Sequence, residues 1–457
     1  LEPVTTISNS MENHLKMNGI SISQFAQISG INSGSLSRII KGTKPISFRE
    51  LYLITAAMGL PEDHFFNNYV EECFTTFSLS WRRLRPILVR SAELNRLDCI
   101  ETLVKRLLDE VTYLPKLFEV AEEFFYKGQY KAASILFRGV SETERYQHSE
   151  RLAVCKYRLF LISLGNDFDA NLKAATLFEP YLDRLDVPDR LDAIQNLAHV
   201  FGSLHRWEKV DALAKELHRI ARIHYEQQLD QKGNYTRPKH PVYFYILYSY
   251  LMRSVVYEEV GDFEKALHFV TLYEDGSWIQ DRSGDAEQII KQFQQWGKAN
   301  KLLYRLLSGD VEVLPMYLEL VSSNEKELPT ALSKIVQAAN RHMFNIDSIL
   351  DRFSSYLPYK SNQEYDKYIM AEQNAHFLIQ LGIYYLHNNR AGGIDWLLQG
   401  LDLSVKINSD KNIIRCMTLY ELYRDLSTPE EASRYKILVR EVQKRNETKV
   451  NLSGSLV

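Results

Sequence analysis

The chain has 457 residues, 45% of them hydrophobic and 25% charged, a balance that excludes both a disordered chain and a low-complexity fibre and suffices for more than one folded domain. Only 20 glycines and 13 prolines are present, too few for the many tight turns of an all-β fold, so long helices are expected. With 55 Lys and Arg against 58 Asp and Glu the net charge is −3, which excludes a globally basic nucleic-acid coat but permits a basic patch on an acidic body.

The opening residues, Leu1 to Ser10, are largely polar, without helical periodicity and without the basic and apolar regions of a secretory leader. They read as an extension ahead of a fold that starts at Met11. From Met11 to Phe66 apolar residues recur at helical spacing, among them Leu15, Phe25, Ile31, Leu36, Ile39, Leu51 and Ile54, and polar or glycine turns divide them into five short helices. Ser21 with Gln24 and Ser47 with Glu50 are capping boxes, and Asn32 is an N-cap candidate. In the middle pair Ala26 allows a close helix crossing, Gly30 supplies a left-handed turn, and Ile31 and Leu36 fill the space between the helices. Between residues 11 and 60 five cations, Lys16, Arg38, Lys41, Lys44 and Arg49, face only Glu12 and Glu50, so this module is basic within an acidic chain.

The Phe25-Ala26, Gly30-Ile31-Asn32, Leu36-Ser37-Arg38-Ile39 and Lys41-Gly42 elements, all in register, resemble the DNA-binding domain of Cro/C1-type (XRE) regulators. The resemblance covers residues 11–66 and implies a helix-turn-helix domain whose recognition helix, Ser33 to Lys41, lies in the major groove of double-stranded DNA. It implies base contacts from Ser33, Ser35 and Arg38, with Ser37 on the same helix, and phosphate contacts from Lys41, Thr43 and Lys44. Arginine bonds guanine bidentately and small hydroxyls reach base edges or phosphate, so the chemistry agrees. Gly34 offers no side chain and Ile22 stands where many relatives place a phosphate-binding glutamine, so a homodimer is expected to supply the remaining affinity.

Residues 67–93 read as a helical connector. The aromatic run Phe65, Phe66, Tyr69, Phe74, Phe77 and Trp81 is expected to pack the module against the helices C-terminal to it. The cluster Arg82, Arg83 and Arg85 is either a second phosphate contact or a salt-bridged helix face.

Behind the connector a pattern repeats: a turn residue, a large residue two positions later, a small or apolar residue three beyond that, and another four further on. It appears as Gly128-x-Tyr130-x-x-Ala133, His205-x-Trp207-x-x-Val210, Gly261-x-Phe263-x-x-Ala266 and Gly309-x-Val311-x-x-Leu314, more weakly at Asn388-x-Arg390-x-x-Gly393, and faintly at Phe168 and Asp347. Successive copies are 38, 39, 56, 48, 36 and 43 residues apart, the period of a helix pair. The two long spacings contain turn-rich inserts, Asp230 to Pro241 and Tyr273 to Gln288. The pattern resembles the tetratricopeptide repeat. About eight pairs are expected over residues 94–445, with a flexible tail at 446–457. The expected fold is therefore all-α: a five-helix helix-turn-helix domain followed by a right-handed superhelix whose first helices line its concave side.

A Cro-like head on a repeat body resembles the peptide-pheromone receptors of the Rap/Rgg/NprR/PlcR/PrgX group, and the connector and long array look most like its arbitrium-receptor (AimR-like) branch. The resemblance implies a transcriptional regulator of the quorum-sensing or lysis-lysogeny kind, whose repeats bind a short signalling peptide that alters the dimer and so its hold on DNA. An extended peptide exposes backbone N–H and C=O groups that an asparagine amide answers together. Asn196 and Asn300 sit at equivalent inner-face positions with His199 and Trp296 nearby, and Arg253, Arg305 or Arg341 can meet a carboxylate. The aromatic cluster from Tyr243 to Tyr250 reads as repeat packing.

No nucleotide-binding, zinc-protease or hydrolase motif occurs, and the 12 histidines lack metal spacing, so neither an enzyme, a metal site nor a cofactor is expected. Cys73, Cys99, Cys155 and Cys416 stand singly, which suits a reducing cytoplasm. No apolar run approaches the ~20 residues of a membrane span. Two other readings stay open: a repeat protein that sequesters a protein partner, and a repressor without a peptide ligand.

Overall fold

The computed structural model describes residues 6–75, 79–145, 149–230, 238–322, 328–354 and 367–454, so Phe77 and the middle of the first insert lie outside the described residues. Among the described residues there is no strand. The chain divides into two compact units, residues 1–162 and 163–457.

The first unit starts earlier than expected. Helix α1 (Ile7–Asn18) is capped by the Thr6 side chain, which accepts from the Asn9 amide. Ile7 and Met11 are fully buried, and the Ile7 amide donates to Glu72 Oε1 at 2.9 Å. A single apolar residue among polar ones shows no periodicity, which is why residues 7–10 read as an extension. Helices α2 (Ile22–Ser29), α3 (Ser33–Ile40) and α4 (Phe48–Ala57) come next. Both capping boxes are complete, Asn32 accepts from the Gly34 and Ser35 amides, and Gly30 is left-handed with φ of 70°. The expected fifth helix of the module is a turn over residues 61–65, and the next helix, α5 (Phe66–Thr75), belongs to the connector with α6 (Trp81–Glu93).

Helices α7 (Leu97–Leu107), α8 (Leu114–Tyr126), α9 (Tyr130–Thr143) and α10 (Glu150–Ser163) complete this unit. One hydrophobic core runs without a break from Ile7 through Leu36, Tyr69 and Ile87 to Phe137 and Cys155. The module and the first repeat helices therefore share their interior and resist separation. The aromatic run packs as expected: Phe65, Phe66 and Tyr69 are buried, and Phe48 meets Phe66 and Tyr69 at ring-centroid distances of 6.0 and 6.3 Å.

The second unit contains α11 (Phe168–Phe178), α12 (Val187–Ser203), α13 (Trp207–Asp230), α14 (Val242–Glu259), α15 (Phe263–Glu274), α16 (Gly284–Leu307), α17 (Leu314–Ser322), α18 (Leu328–His342), α19 (Asp347–Arg352), α20 (Lys367–His387), α21 (Gly393–Lys406), α22 (Asp410–Leu422) and α23 (Pro429–Gly454). Residues 446–454, expected as a flexible tail, continue α23. Four turn residues of the repeat carry the backbone they require, Gly128, His205, Gly261 and Gly309 all having positive φ; in the weaker copy it falls on Asn389, one residue after the expected Asn388. The small residues permit close crossings. A Cβ on Gly393 would fall 2.7 Å from Leu386 Cγ, and one on Gly382 2.7 Å from Leu397 Cγ. The array in this unit returns on itself, since α12 packs against α20 and the start of α11 meets the turn between α21 and α22.

Candidate DNA interface and ligand cavity

Leu36 and Ile39 anchor α3 in the core, which turns the opposite face outward. On that face Ser33 and Arg38 are exposed, while Ser35 and Ser37 are half-buried. The Arg38 Nε donates to the Gly34 carbonyl at 3.4 Å, laying the guanidinium along the helix surface with its other donors outward. Beyond the helix Lys41 and Thr43 are exposed, and the Arg38 carbonyl accepts from the Thr43 amide and hydroxyl, fixing the turn.

Lys44 departs from expectation. Its ammonium is in close contact with Glu50, whose carboxylate also closes the Ser47 capping box. Burial alone would raise the Glu50 pKa, but the hydrogen bonds from Lys44 and Ser47 hold it below its ordinary value. Lys44 therefore braces α4 against the turn and its charge is already compensated. Arg83 of the connector cluster is buried rather than a phosphate contact: its Nε donates to the Ile46 carbonyl at 3.1 Å and its guanidinium lies over the Tyr69 ring. Arg85 pairs with Glu123 at 2.7 Å, and Arg82 is exposed.

The second unit contains an open cavity of about 650 Å³, within the usual ~300–1,000 Å³ of a ligand pocket. Its wall comes mainly from α12, α14, α16, α18 and α20 and is largely apolar. His199, Trp296 and Asn300 line it. The His199 ring nitrogen meets the Tyr248 hydroxyl at 2.5 Å, and Asn300 Nδ2 donates to the Tyr273 hydroxyl.

The other four residues singled out for peptide binding do not line the cavity. Asn196 donates to the Asp192 carbonyl one helical turn back. Arg253 pairs with Asp211 at 2.8 Å and lies over Phe269. Arg305 pairs with Asp310 at 2.6 Å, and Arg341 lies over the Phe263 ring. Asn196 and Asn300 each stand nine residues before their turn residues, yet only Asn300 lines the cavity.

The charged residues of the wall were missed. Lys334 reaches Glu258 at 2.6 Å and Glu259 at 2.9 Å, and His205 Nε2 meets Glu372 at 2.8 Å. Burial works against the Lys334 ammonium, but the two carboxylates outweigh it and raise its pKa. Burial raises the Glu258 pKa, whereas at Glu259 the lysine prevails and lowers it. His376 is pushed down by burial and stays neutral. Three carboxylates thus share one lysine and a bonded histidine. The adjacent Glu258-Glu259 pair was the sequence signal for this site, and it could not be told from a solvated helix face.

No group of three or more His, Cys, Asp or Glu among the described residues is placed to hold a metal. No helix among them is long and apolar enough to cross a membrane. The Helix-turn-helix family matches residues 12–65. No curated protein sequence matches the chain. Among solved structures, the crystal structure of Bacillus thuringiensis PlcR in complex with the peptide PapR7 and DNA is similar at 12% identity, covering 78% of this chain and 100% of that one, with a TM-score of 0.23.

Proposed function

We propose that this chain, which carries a helix-turn-helix DNA-binding domain, is a transcriptional regulator whose second unit binds a short peptide. The observation that carries the reading is the open cavity of roughly 650 Å³ lined by the helix pairs of a chain that also presents an exposed helix in the recognition position. The cavity combines an apolar wall with Trp296, an asparagine amide and hydroxyls, the mixture that holds an extended backbone and its side chains. Its carboxylate excess favours a peptide with a cationic group, which would compete with Lys334 for Glu258 and Glu259.

On the DNA side Ser33, Ser35, Ser37 and Arg38 face base edges, and Lys41 and Thr43 face phosphates. In this reading a homodimer contacts two half-sites, the arrangement in which dimeric helix-turn-helix domains bind. The peptide acts by favouring one dimer geometry over another. The test has two arms. Duplexes selected from a random pool should bind the full chain with a half-site repeat, and calorimetry with synthetic peptides encoded beside the gene should show binding that shifts that affinity. Absence of duplex selection removes the regulator reading, and absence of heat with every peptide removes the peptide reading.

A further inference from the structure

The second unit closes through a junction between two helix ends. Asp167 caps α11 by accepting from the Ala170 amide at 3.0 Å. The Phe168 amide, in the first turn of that helix, has no acceptor within it. It donates instead to the Ile407 carbonyl at 3.1 Å, just beyond the end of α21. A helix N-terminus with its partial positive charge thus meets a C-terminus with its partial negative charge. Asn408, left-handed with φ of 57°, ties the junction together. Its Nδ2 donates to Asp167 Oδ2 at 2.6 Å, and its Oδ1 accepts from Arg445 Nη1 of α23 at 3.0 Å. Arg445 also contacts Asp410, and Phe168 and Ile407 are buried. On the inner side the His205–Glu372 pair links the α12–α13 turn to α20.

The partners here are 241 residues apart in Asp167 and Asn408 and 167 apart in His205 and Glu372. Along the rest of the array, neighbouring helices stack through apolar side chains. Here the α11–α21 contact consists of one backbone bond and a few side-chain bonds beside the buried Phe168 and Ile407, with Asp167 and Asp410 exposed. Such a site is the low-stability end of a repeat array, and it opens before the stacked pairs do. Because α12 and α20 both form the cavity wall, the distance between them sets the bore of the cavity.

We propose that the α11–α21 junction is a latch that opens while α13 to α16 stay folded, and whose closure fixes the bore of the ligand cavity. The device does not depend on which ligand the cavity takes. It goes beyond ligand binding in assigning Asp167, Asn408 and Arg445 a role outside the cavity.

Hydrogen exchange of the full chain, read at the Phe168 amide without any ligand, tests it. Asn408→Gly keeps the left-handed backbone and removes both side-chain bonds. Asp167→Ser keeps the helix cap but cannot span to Asn408. In the unaltered chain Phe168 is expected to exchange at least about tenfold faster than Ile246 and Leu247 of α14, and either variant to speed it by about another tenfold while leaving α14 unchanged. The acrylamide quenching due to Trp296, identified by its loss in Trp296→Phe, should rise in both variants. Exchange of Phe168 in step with α14 in all three proteins would overturn the latch. Unchanged Trp296 quenching beside faster Phe168 exchange would overturn its control of the bore.

Discussion

Arg83 donates through Nε to the Ile46 carbonyl at 3.1 Å, joining the connector helix to the turn after the recognition helix. Ile46 lies in a segment without regular structure, so its carbonyl has no ladder partner of its own. The same guanidinium covers the Tyr69 ring, 5.4 Å from its centroid. The segment between α3 and α4 is thereby held by a residue outside the helix-turn-helix module.

Arg83→Met removes a charge-assisted bond and leaves a buried carbonyl without its donor. A loss of about 2 kcal/mol is expected, from ~1.5–3 for a bond to a charged group. Urea unfolding followed by circular dichroism measures it. A change below ~0.5 kcal/mol, the range of ordinary surface substitutions, would show that the bond does not hold the head.

Arg38→Ala and Lys44→Ala should behave differently on a duplex obtained by selection. Arg38 is exposed on the recognition face, and its loss should cost ~1–3 kcal/mol with relaxed specificity at one base pair. Lys44 is engaged by Glu50, so its loss should weaken the fold slightly and leave the salt dependence of binding unaltered. Mobility shifts over a salt series separate the two, and equal losses would contradict the ion-pair geometry.

Glu50→Gln retains the capping box because glutamine also accepts from the Ser47 amide. What it loses is the charge that Lys44 stabilises. Since the folded carboxyl titrates below its ordinary 4.5, its contribution is present above that pH and disappears as pH falls through the folded value. The stability gap between the two proteins, ~0.5–1 kcal/mol at neutral pH, should close as pH falls below 4.5. A gap that widens on acidification would refute this assignment.

Gly382→Ala tests the helix crossing. Alanine is ~1 kcal/mol better than glycine in a helix interior. Here its Cβ would fall 2.7 Å from Leu397 Cγ and 3.1 Å from the Gly393 carbonyl, and backbone cannot yield cheaply. A net loss of ~1–3 kcal/mol is expected by thermal unfolding, as for other overpacked sites. A stabilised protein would mean that α20 and α21 separate without cost.

Trp296→Ala and Arg305→Ala divide the cavity from the rest of the inner-face candidates. Trp296 lines the cavity, whereas Arg305 is held by Asp310 away from it. Peptide affinity by calorimetry should fall at least about tenfold in the first and be unchanged in the second, tenfold being ~1.4 kcal/mol. The opposite order would place the peptide elsewhere.

The helix-turn-helix module was readable because its signals are local. Ser21 with Gln24, Ser47 with Glu50, Asn32 and Gly30 are caps and turns whose partners lie within a few residues, and each has the expected geometry. The repeat turns were readable for the same reason, since the left-handed backbone at Gly128, Gly261 and Gly309 is a property of the turn alone. Individual boundaries were less so: Ile7 is helical because Glu72 receives its amide and the core receives its side chain, both distant in sequence.

By itself, then, the sequence determined most of the helical segments and their turns, and that one basic module has the caps and turn of a helix-turn-helix domain. Tertiary structure decided which polar residues face one another. Lys334 between Glu258 and Glu259, His205 on Glu372, and Asp167 on Asn408 are meetings that no helical period encodes. The physical reason is range. Capping and amphipathic spacing act over one or two turns, whereas the cavity and its junction depend on rotations that accumulate over many helix pairs. A small change in any one crossing moves a distant side chain from the wall of the cavity to solvent.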